Sequence, residues 1–212
     1  MSGQLVLVLG AGLGRRMGGP KLFLRHQGRG FLQRIVSHCA ASGSPWVLVY
    51  PQGMGRRIQE LLRALENAAP PLALVEGDGQ QPMLASVQSG LRAARAAGAF
   101  SAPGEWLGCW VWPVDAPGIS PRGWLLATEA VQEQSVSILK LQTDGKTGHP
   151  IWFPAWAIDV IVNGEWADGL LGFLASEKEQ TRTLELSGET LRDFNTPEDL
   201  EKWRPTPGDD EG

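Results

Sequence analysis

The chain has 212 residues, of which 42% are hydrophobic and 20% charged, a composition typical of a folded globular protein and not of a disordered one. Its 19 basic and 23 acidic side chains give a net charge of −4. This charge argues against nucleic-acid binding as the main function, because binding to a phosphate backbone usually requires a basic excess. No apolar run approaches the roughly 20 residues of a membrane span, so we expect no membrane partner.

Short apolar runs alternate with longer amphipathic ones, which is typical of βαβ units and a largely parallel sheet. The predicted strands cover residues 4–9, 46–50, 72–76, 106–114 and 136–141. The predicted helices between them cover residues 30–42, 54–67, 83–97 and 121–134. After Thr143 the segments become shorter, and we expect a hairpin and two short helices (155–162 and 169–176) that cover the carboxyl edge of the sheet.

The pattern predicts a single domain over residues 1–203. The run from Thr196 to Asp199 is typical of a helix start, with Thr as the N-cap and Pro at the first helical position. Residues 204–212 are rich in Pro, Gly and acidic residues, and we expect a disordered tail there.

The two cysteines, Cys39 and Cys109, lie in a predicted helix and a predicted strand, without the CxxC or Cys/His spacing of a zinc site. We expect both to be buried, reduced thiols. The apolar run 5–9 leads directly into a glycine-rich turn and has no basic region before it, so we interpret it as a strand and not a signal peptide. A reducing cytoplasm is the expected location.

The most informative segment is the glycine-rich turn at 9–21, between the first strand and the next helix. Bare glycines let phosphate oxygens approach several backbone N–H groups, and Arg15, Arg16 and Lys21 add positive charge. The dinucleotide pattern G-x-G-x-x-G fails, since its last position falls on Arg15 or Met17. The P-loop pattern fails because no Ser or Thr follows Lys21. A flexible turn with incidental basic residues is the structural alternative.

A carboxylate stands at the end of the most apolar strand. Asp115 follows the run Trp112-Pro113-Val114, and open α/β sheets bind ligands at this carboxyl edge. Carboxylate oxygens suit Mg²⁺ that is bound together with substrate phosphates. The alternative is an Asp that caps a turn before Pro117.

The run Gly12-x-Gly14-x-Arg16-Met17-Gly18 followed by Lys21 resembles the signature of the MobA-like NTP transferases, which include molybdenum-cofactor and sugar-phosphate nucleotidyltransferases. Four further segments are similar to this superfamily, in the same order. They are residues 82–91, 112–117, 148–153 and 193–200. The resemblance implies a Rossmann-like three-layer αβα nucleotidyltransferase (glycosyltransferase-A-like) fold with a mostly parallel central sheet.

The resemblance also implies roles for individual residues. Asp115 and Asn195 fall on the two metal positions, for Mg²⁺ or Mn²⁺; Asn195 has one negative charge fewer than the Asp usual in the cytidylyltransferase branch. Arg16 would hold the leaving pyrophosphate and Lys21 the α-phosphate, which makes Arg16, Lys21 and Asp115 the catalytic candidates. The nucleotide-binding candidates of the loop are Leu9, Gly10, Ala11, Gly12, Gly14 and Arg15.

Two segments resemble the cytidylyltransferase branch in particular. The run 82–91 places Ser86 and Gly90 near the nucleotide, although serines here also cap helices or face solvent. Gly148-His149-Pro150 lines the acceptor side in that branch, and we interpret His149 as a substrate-orienting group and not a base. A lone histidine in a loop is also often structural.

The implied reaction is transfer of a nucleoside monophosphate from an NTP to a small phosphate-bearing acceptor. Molybdopterin with CTP is the first choice, and a sugar or alcohol phosphate, favoured by Asn195, is the alternative. A non-catalytic nucleotide-binding domain of the same fold is a further alternative. Nine Trp residues leave open a surface for a protein partner such as a client molybdoenzyme, since Trp is enriched at interfaces.

Overall fold

The computed structural model describes residues 3–65, 69–100, 105–134 and 136–203. The segment 204–212, predicted to be a disordered tail, lies outside the described residues. Nine strands are assigned within the described residues. They are β1 (Gln4–Leu9), β2 (Arg25–His26), β3 (Arg29–Gly30), β4 (Trp46–Pro51), β5 (Ala73–Gly77), β6 (Gly108–Pro113), β7 (Ile138–Thr143), β8 (Lys146–Pro154) and β9 (Thr181–Glu185). Seven α-helices complete the architecture: α1 (Phe31–Ser42), α2 (Gly55–Arg63), α3 (Met83–Ala96), α4 (Pro121–Glu133), α5 (Ala155–Asn163), α6 (Gly169–Ser176) and α7 (Pro197–Lys202).

Seven of the strands form one sheet in the order β5-β4-β1-β6-β8-β7-β9, while β2 and β3 pair separately. All neighbours in the large sheet are parallel except the pairs that involve β8, which runs against both β6 and β7. The reversal of β8 brings its amino end to the edge of the sheet at which β1 and β6 have their carboxyl ends. Residues at the amino end of β8 and at the carboxyl ends of β1 and β6 therefore lie at the same edge of the sheet.

The sheet lies between two layers of helices because its strands alternate their buried side chains between the two faces. On one face, Val6 and Val8 of β1 pack with residues of α1, α2 and α4. On the other, Leu5 and Leu7 pack with residues of α3, α5 and α6. The predicted α/β fold with three layers and a mostly parallel sheet is confirmed.

Most predicted elements are present, with shorter ends. The predicted strand 106–114 is Gly108–Pro113, and the predicted helix 54–67 is Gly55–Arg63 in the structure. The hairpin expected after Thr143 is confirmed, but its second strand β8 enters the middle of the sheet. The edge strand β9 and the short β2–β3 pair were not predicted from the sequence.

The cysteines are as expected: Cys39 and Cys109 are both free and buried, and burial raises the pKa of each thiol. Within the described ranges, no helix is both long and apolar enough to cross a membrane. Of the tryptophans considered for a partner surface, Trp152 is fully buried, whereas Trp156 is 36% exposed.

Candidate active site

The glycine-rich turn forms a compact loop after β1. Gly14 has φ +57°, and its carbonyl accepts hydrogen bonds from the N–H groups of Met17 (2.8 Å) and Gly19 (3.2 Å). A Cβ at Gly14 would collide with the Gly19 carbonyl. Glycine is therefore required here both for backbone conformation and for space. The loop encloses a short 3-10 helix, Arg15–Met17, whose arginines are exposed.

Three polar side chains from distant parts of the chain meet beside this loop. The Lys21 Nζ donates to Oδ2 of Asp115 (2.7 Å) and to Oδ1 of Asn195 (2.6 Å). The Lys21 and Asp115 side chains are only 14% and 22% exposed. The main chain supports the meeting, since the N–H of Phe194 donates to the carbonyl of Asp115 at 2.8 Å. A positive charge and two oxygen atoms thus converge at the carboxyl edge of the sheet.

A cleft of about 310 Å³ opens over these groups. Its lining is Leu9, Gly12, Gly14, Arg15, Arg16, Lys21, Val114, Asp115 and Asn195. The structure thus brings eight of the predicted site residues together around one space. Three of them are basic, so the cleft suits a phosphate chain even though the protein as a whole is acidic.

Gly10 and Ala11 lie behind the cleft and not on its surface. The N–H of Gly10 donates to the carbonyl of Val49 at 2.7 Å, which extends the pairing of β1 with β4. The prediction that this amide binds the triphosphate is therefore wrong, because the sheet already uses its single proton. A Cβ at Gly10 would lie 2.8 Å from the Leu22 side chain. Ala11 is 4% exposed and lies against Gly77.

A second cavity, of about 490 Å³, lies beside the first and includes His149 and Asp193 in its lining. The N–H of His149 donates to the Leu191 carbonyl at 3.0 Å. Its ring Nδ1 is buried and has no hydrogen-bond partner among the described residues. Desolvation lowers the pKa of His149, while the carboxylates of Asp193 and Asp115 oppose this shift. Desolvation thus favours the neutral form of the ring, in which one nitrogen atom can accept a hydrogen bond from a ligand or water.

Asp193 was not predicted as a site residue. Desolvation raises the pKa of its carboxyl, and the proximity of the His149 ring and of Lys21 opposes this shift. The electrostatic influence of Asp115 and Lys21 on Asp193 shows that the two cavities are close neighbours. The sequence signal for Asp193 is its position as the first residue of the family-like segment 193–200, in which only Asn195 was predicted as a site residue.

Comparison with known proteins now decides the family. Residues 6–181 match the model of the MobA-like NTP transferase domain. The chain belongs to the MobA-like NTP transferase domain family. No curated protein matches the sequence. The family is one of nucleotidyltransferases, so nucleotidyl transfer is the general activity, and the resemblance found in the sequence is confirmed.

Solved structures agree with this fold at low sequence identity. Rv0371c from Mycobacterium tuberculosis H37Rv superposes with a TM-score of 0.72 at 20% identity, over 93% of this chain and 96% of that one. The same protein in complex with manganese gives a TM-score of 0.66 at 18% identity, over 94% and 99%. Molybdopterin-guanine dinucleotide biosynthesis protein A from Archaeoglobus fulgidus gives 0.57 at 18% identity, over 93% and 95%.

Ser86 and Gly90, the remaining predicted site residues, lie on α3 and outside the lining of the cleft. Ser86 faces the β5 end, where a Cβ on Gly77 would lie 3.6 Å from its Oγ. Gly90 is buried, and a Cβ there would collide with Leu7 and crowd Val49. The position of Gly90 is thus explained by close packing of helix on sheet in this MobA-like domain.

The donor set of the cleft fits a divalent metal ion shared with substrate phosphates. Asp115 Oδ2 and Asn195 Oδ1 both lie within 2.7 Å of the same Lys21 Nζ, so they converge on a single point. Among the residues that the structure describes, no group of three His, Cys, Asp or Glu forms a complete metal cage. Mg²⁺ is commonly held by one or two protein oxygen ligands, with phosphates and water completing its shell.

Proposed function

We propose that this protein transfers a nucleoside monophosphate from an NTP to a phosphate group on a small acceptor and releases pyrophosphate. The observation that carries the proposal is the contact of Lys21 with Asp115 and Asn195 on the floor of a cleft edged by the glycine loop. This arrangement brings together a cation, two oxygens that can bind a metal ion, and room for a phosphate beside the backbone of the glycine loop. A binding module would not need all three.

The protein does not need to activate the nucleophile, since the acceptor phosphate is already anionic. An acceptor oxygen forms a bond to the α-phosphorus while the bond from that phosphorus to the oxygen bridging to the β-phosphate breaks. Arg15 and Arg16 lie on the loop side of the cleft, where they would neutralise the departing pyrophosphate. Lys21 would contact the α-phosphate, where negative charge accumulates in the transition state.

We propose that Asp115 and Asn195 hold Mg²⁺, with Mn²⁺ as a substitute. The two oxygens supply at most one negative charge, so phosphate oxygens of the substrate would complete the shell. A bound metal ion would offset phosphate charge and align the two substrates. The manganese complex of the similarly folded Rv0371c supports a divalent ion in this fold.

For the acceptor we propose molybdopterin, with CTP as the nucleotide. The segment 82–91 and the Gly148-His149-Pro150 element support this choice, as does the shared fold with the molybdopterin-guanine dinucleotide protein of Archaeoglobus fulgidus. Asn195 favours a second candidate, a sugar or alcohol phosphate, because Asn is usual there in the guanylyl and sugar branches. The two reduced cysteines support a cytoplasmic location. A client molybdoenzyme is the protein partner that this acceptor would require.

The test is to incubate the protein with each NTP, Mg²⁺ or Mn²⁺, and each acceptor class, and to measure pyrophosphate release. We expect release with CTP and molybdopterin, dependent on the divalent ion and abolished by a chelator. Release with a sugar phosphate and not with molybdopterin would support the second candidate. Calorimetric binding of Mg²⁺–NTP without release for any acceptor would instead favour a non-catalytic binding domain.

A further inference from the structure

The cavity of about 490 Å³ beside the phosphate cleft has two chemically different walls. One wall is apolar and is formed mainly by α6, with Leu170, Leu171 and Leu174 joined by Met83 from the start of α3. Leu171 is 73% exposed and Met83 is 46% exposed. A single exposed leucine needs no explanation. Several apolar side chains around one cavity leave an apolar surface that a ligand can cover.

The rest of the lining includes two cations. Lys140 of β7 is the partner of Ile151 in β8, and Arg192 precedes Asp193 in the closing segment. Neither cation has an ion-pair partner within 4.0 Å among the described residues. Arg192 also borders a neighbouring hollow together with Lys146 and Lys202. The lining of the cavity thus has two cations and one carboxylate, that of Asp193, in a protein whose net charge is −4.

The two ends of the cavity face different directions. Asp193 lies toward the reactive site, because the N–H of the next residue, Phe194, donates to the carbonyl of Asp115 at 2.8 Å. Arg192 also lines the hollow beside α7, together with Lys202. An acceptor whose phosphate lies at Lys21 would thus lay its body along the apolar wall and point its far end at the cations.

We propose that this cavity binds an acceptor with an apolar, planar body and a second anionic group, with Leu171 and Arg192 as specificity-determining residues. The inference rests on the proposed function and narrows its substrate class. A polyhydroxylated sugar would turn hydroxyl groups toward the leucines, where they lose water without gaining a hydrogen-bond partner. A planar apolar body covers the same side chains without that loss.

The experiment measures calorimetric binding of three probes to the full chain: glycerol phosphate, naphthyl phosphate, and naphthyl phosphate with a carboxylate on the far ring. We expect naphthyl phosphate to bind at least about tenfold more tightly than glycerol phosphate, because its rings cover apolar surface. The added carboxylate should improve binding by roughly a further threefold through a charge-assisted contact.

Two variants separate the two walls. Leu171→Gln should weaken the binding of both naphthyl probes by about fivefold and leave the affinity for glycerol phosphate unchanged. Arg192→Gln should remove only the preference for the carboxylated probe. The matched controls are Leu125→Gln on α4 and Arg182→Gln on β9, which are exposed and outside the cavity lining. Unchanged Mg²⁺–CTP affinity shows that each variant is folded.

Equal affinity for glycerol phosphate and naphthyl phosphate would overturn the inference, as would equal effects of Leu171→Gln and its control. Binding of Mg²⁺–CTP without binding of any probe would also overturn it, and would leave the proposed function standing. Loss of Mg²⁺–CTP binding by the unmodified chain would count against the proposed function itself. The two failures are therefore distinguishable.

Discussion

Polar side chains occupy two regions of this molecule, the helix–sheet core and the cleft, and they are used differently in each. In the core, Gln4 donates to the Thr128 carbonyl (2.9 Å) and accepts from the indole N–H of Trp110 (3.0 Å). His38 lies parallel to Trp112 with ring centroids 5.8 Å apart, and its Nε2 is 3.0 Å from the Ile119 carbonyl. These contacts join strands to helices and stabilise one packing arrangement.

In the cleft, polar groups converge on a space instead of joining two elements. Lys21 holds oxygens of Asp115 and Asn195 in the cleft. In the adjoining cavity, the buried Nδ1 of His149 has no hydrogen-bond partner among the described residues. Buried polar groups usually satisfy one another, so an exception beside a cavity indicates a ligand position. We therefore predict that substitutions in the cleft lower turnover, whereas substitutions in the core lower the free energy of unfolding.

The strongest test of this difference is Lys21→Ala and, separately, Asp115→Ala. Each should lower turnover by about 10²- to 10³-fold, because each removes a charge that stabilises the transferring phosphate. The circular dichroism spectrum and the melting temperature should change little. The control is Lys178→Ala, since this lysine lies on a short 3-10 helix outside the cleft lining. Turnover near that of the unmodified protein in both variants would refute the assignment.

The core histidine should instead control stability against pH. Burial lowers the pKa of His38 from 6.5 to about 4, so the folded state binds fewer protons than the unfolded state between these values. Stability is therefore fully present above pH 6.5 and decreases as the pH falls toward 4. The decrease from this group is about 3 kcal/mol, at about 1.4 kcal/mol for each unit of pKa shift.

Urea unfolding at several pH values measures this effect. In His38→Gln the difference in unfolding free energy from the unmodified protein should be constant above about pH 7 and shrink below it, since only the histidine titrates. Parallel profiles for the two proteins throughout the acid range would show that His38 does not titrate as described. CTP affinity at neutral pH should be unaffected, because His38 is not part of the cleft lining.

Substitutions at two glycines of the loop test separately the backbone conformation and the space that a bound phosphate needs. Gly14→Ala should weaken Mg²⁺–NTP binding by at least about tenfold, because both its φ and the Gly19 carbonyl exclude a side chain. Gly12 has no atom within 4 Å of an added Cβ, so Gly12→Ala should leave the stability of the protein unchanged. If the phosphates of the NTP bind against Gly12, the added methyl group should still weaken Mg²⁺–NTP binding severalfold. Calorimetry and thermal melting together test both variants, and full NTP affinity in Gly12→Ala would place the phosphates elsewhere.

The sequence was sufficient to predict the fold because the alternation of apolar runs and helices is a local pattern. The strand β1 and the glycine-rich loop after it were predicted for the same reason. The position of β8 was not, since its pairing with β6 depends on which distant strand offers a matching edge. The edge strand β9 is short and only partly buried, so its pattern carries little signal.

For the site, local spacing suggested the loop and Asp115, and family resemblance added Asn195. Lys21 contacts Asp115 and Asn195, which lie 94 and 174 positions further along the chain. No local sequence pattern encodes contacts over such distances. The error at Gly10 has the same origin, because its amide is engaged by β4, a tertiary contact. Lys140 and Arg192 were not predicted to share a cavity because they are 52 positions apart in the sequence and line the same space only in the folded protein.

The smallest expected effect concerns Asn195, the one metal candidate without a charge. Asn195→Asp would place two carboxylates around the point now held by Lys21, which should lower the Mg²⁺ concentration for half-maximal turnover by about threefold, roughly the effect of one exposed charge. The substitution keeps the backbone contact of residue 195, whose N–H donates to Asp199 (3.0 Å). Turnover at saturating Mg²⁺ should change little if the carbonyl already coordinates the ion. Mg²⁺ titrations of the two proteins decide this, and an unchanged Mg²⁺ requirement would exclude residue 195 from the metal shell while leaving Asp115 in place.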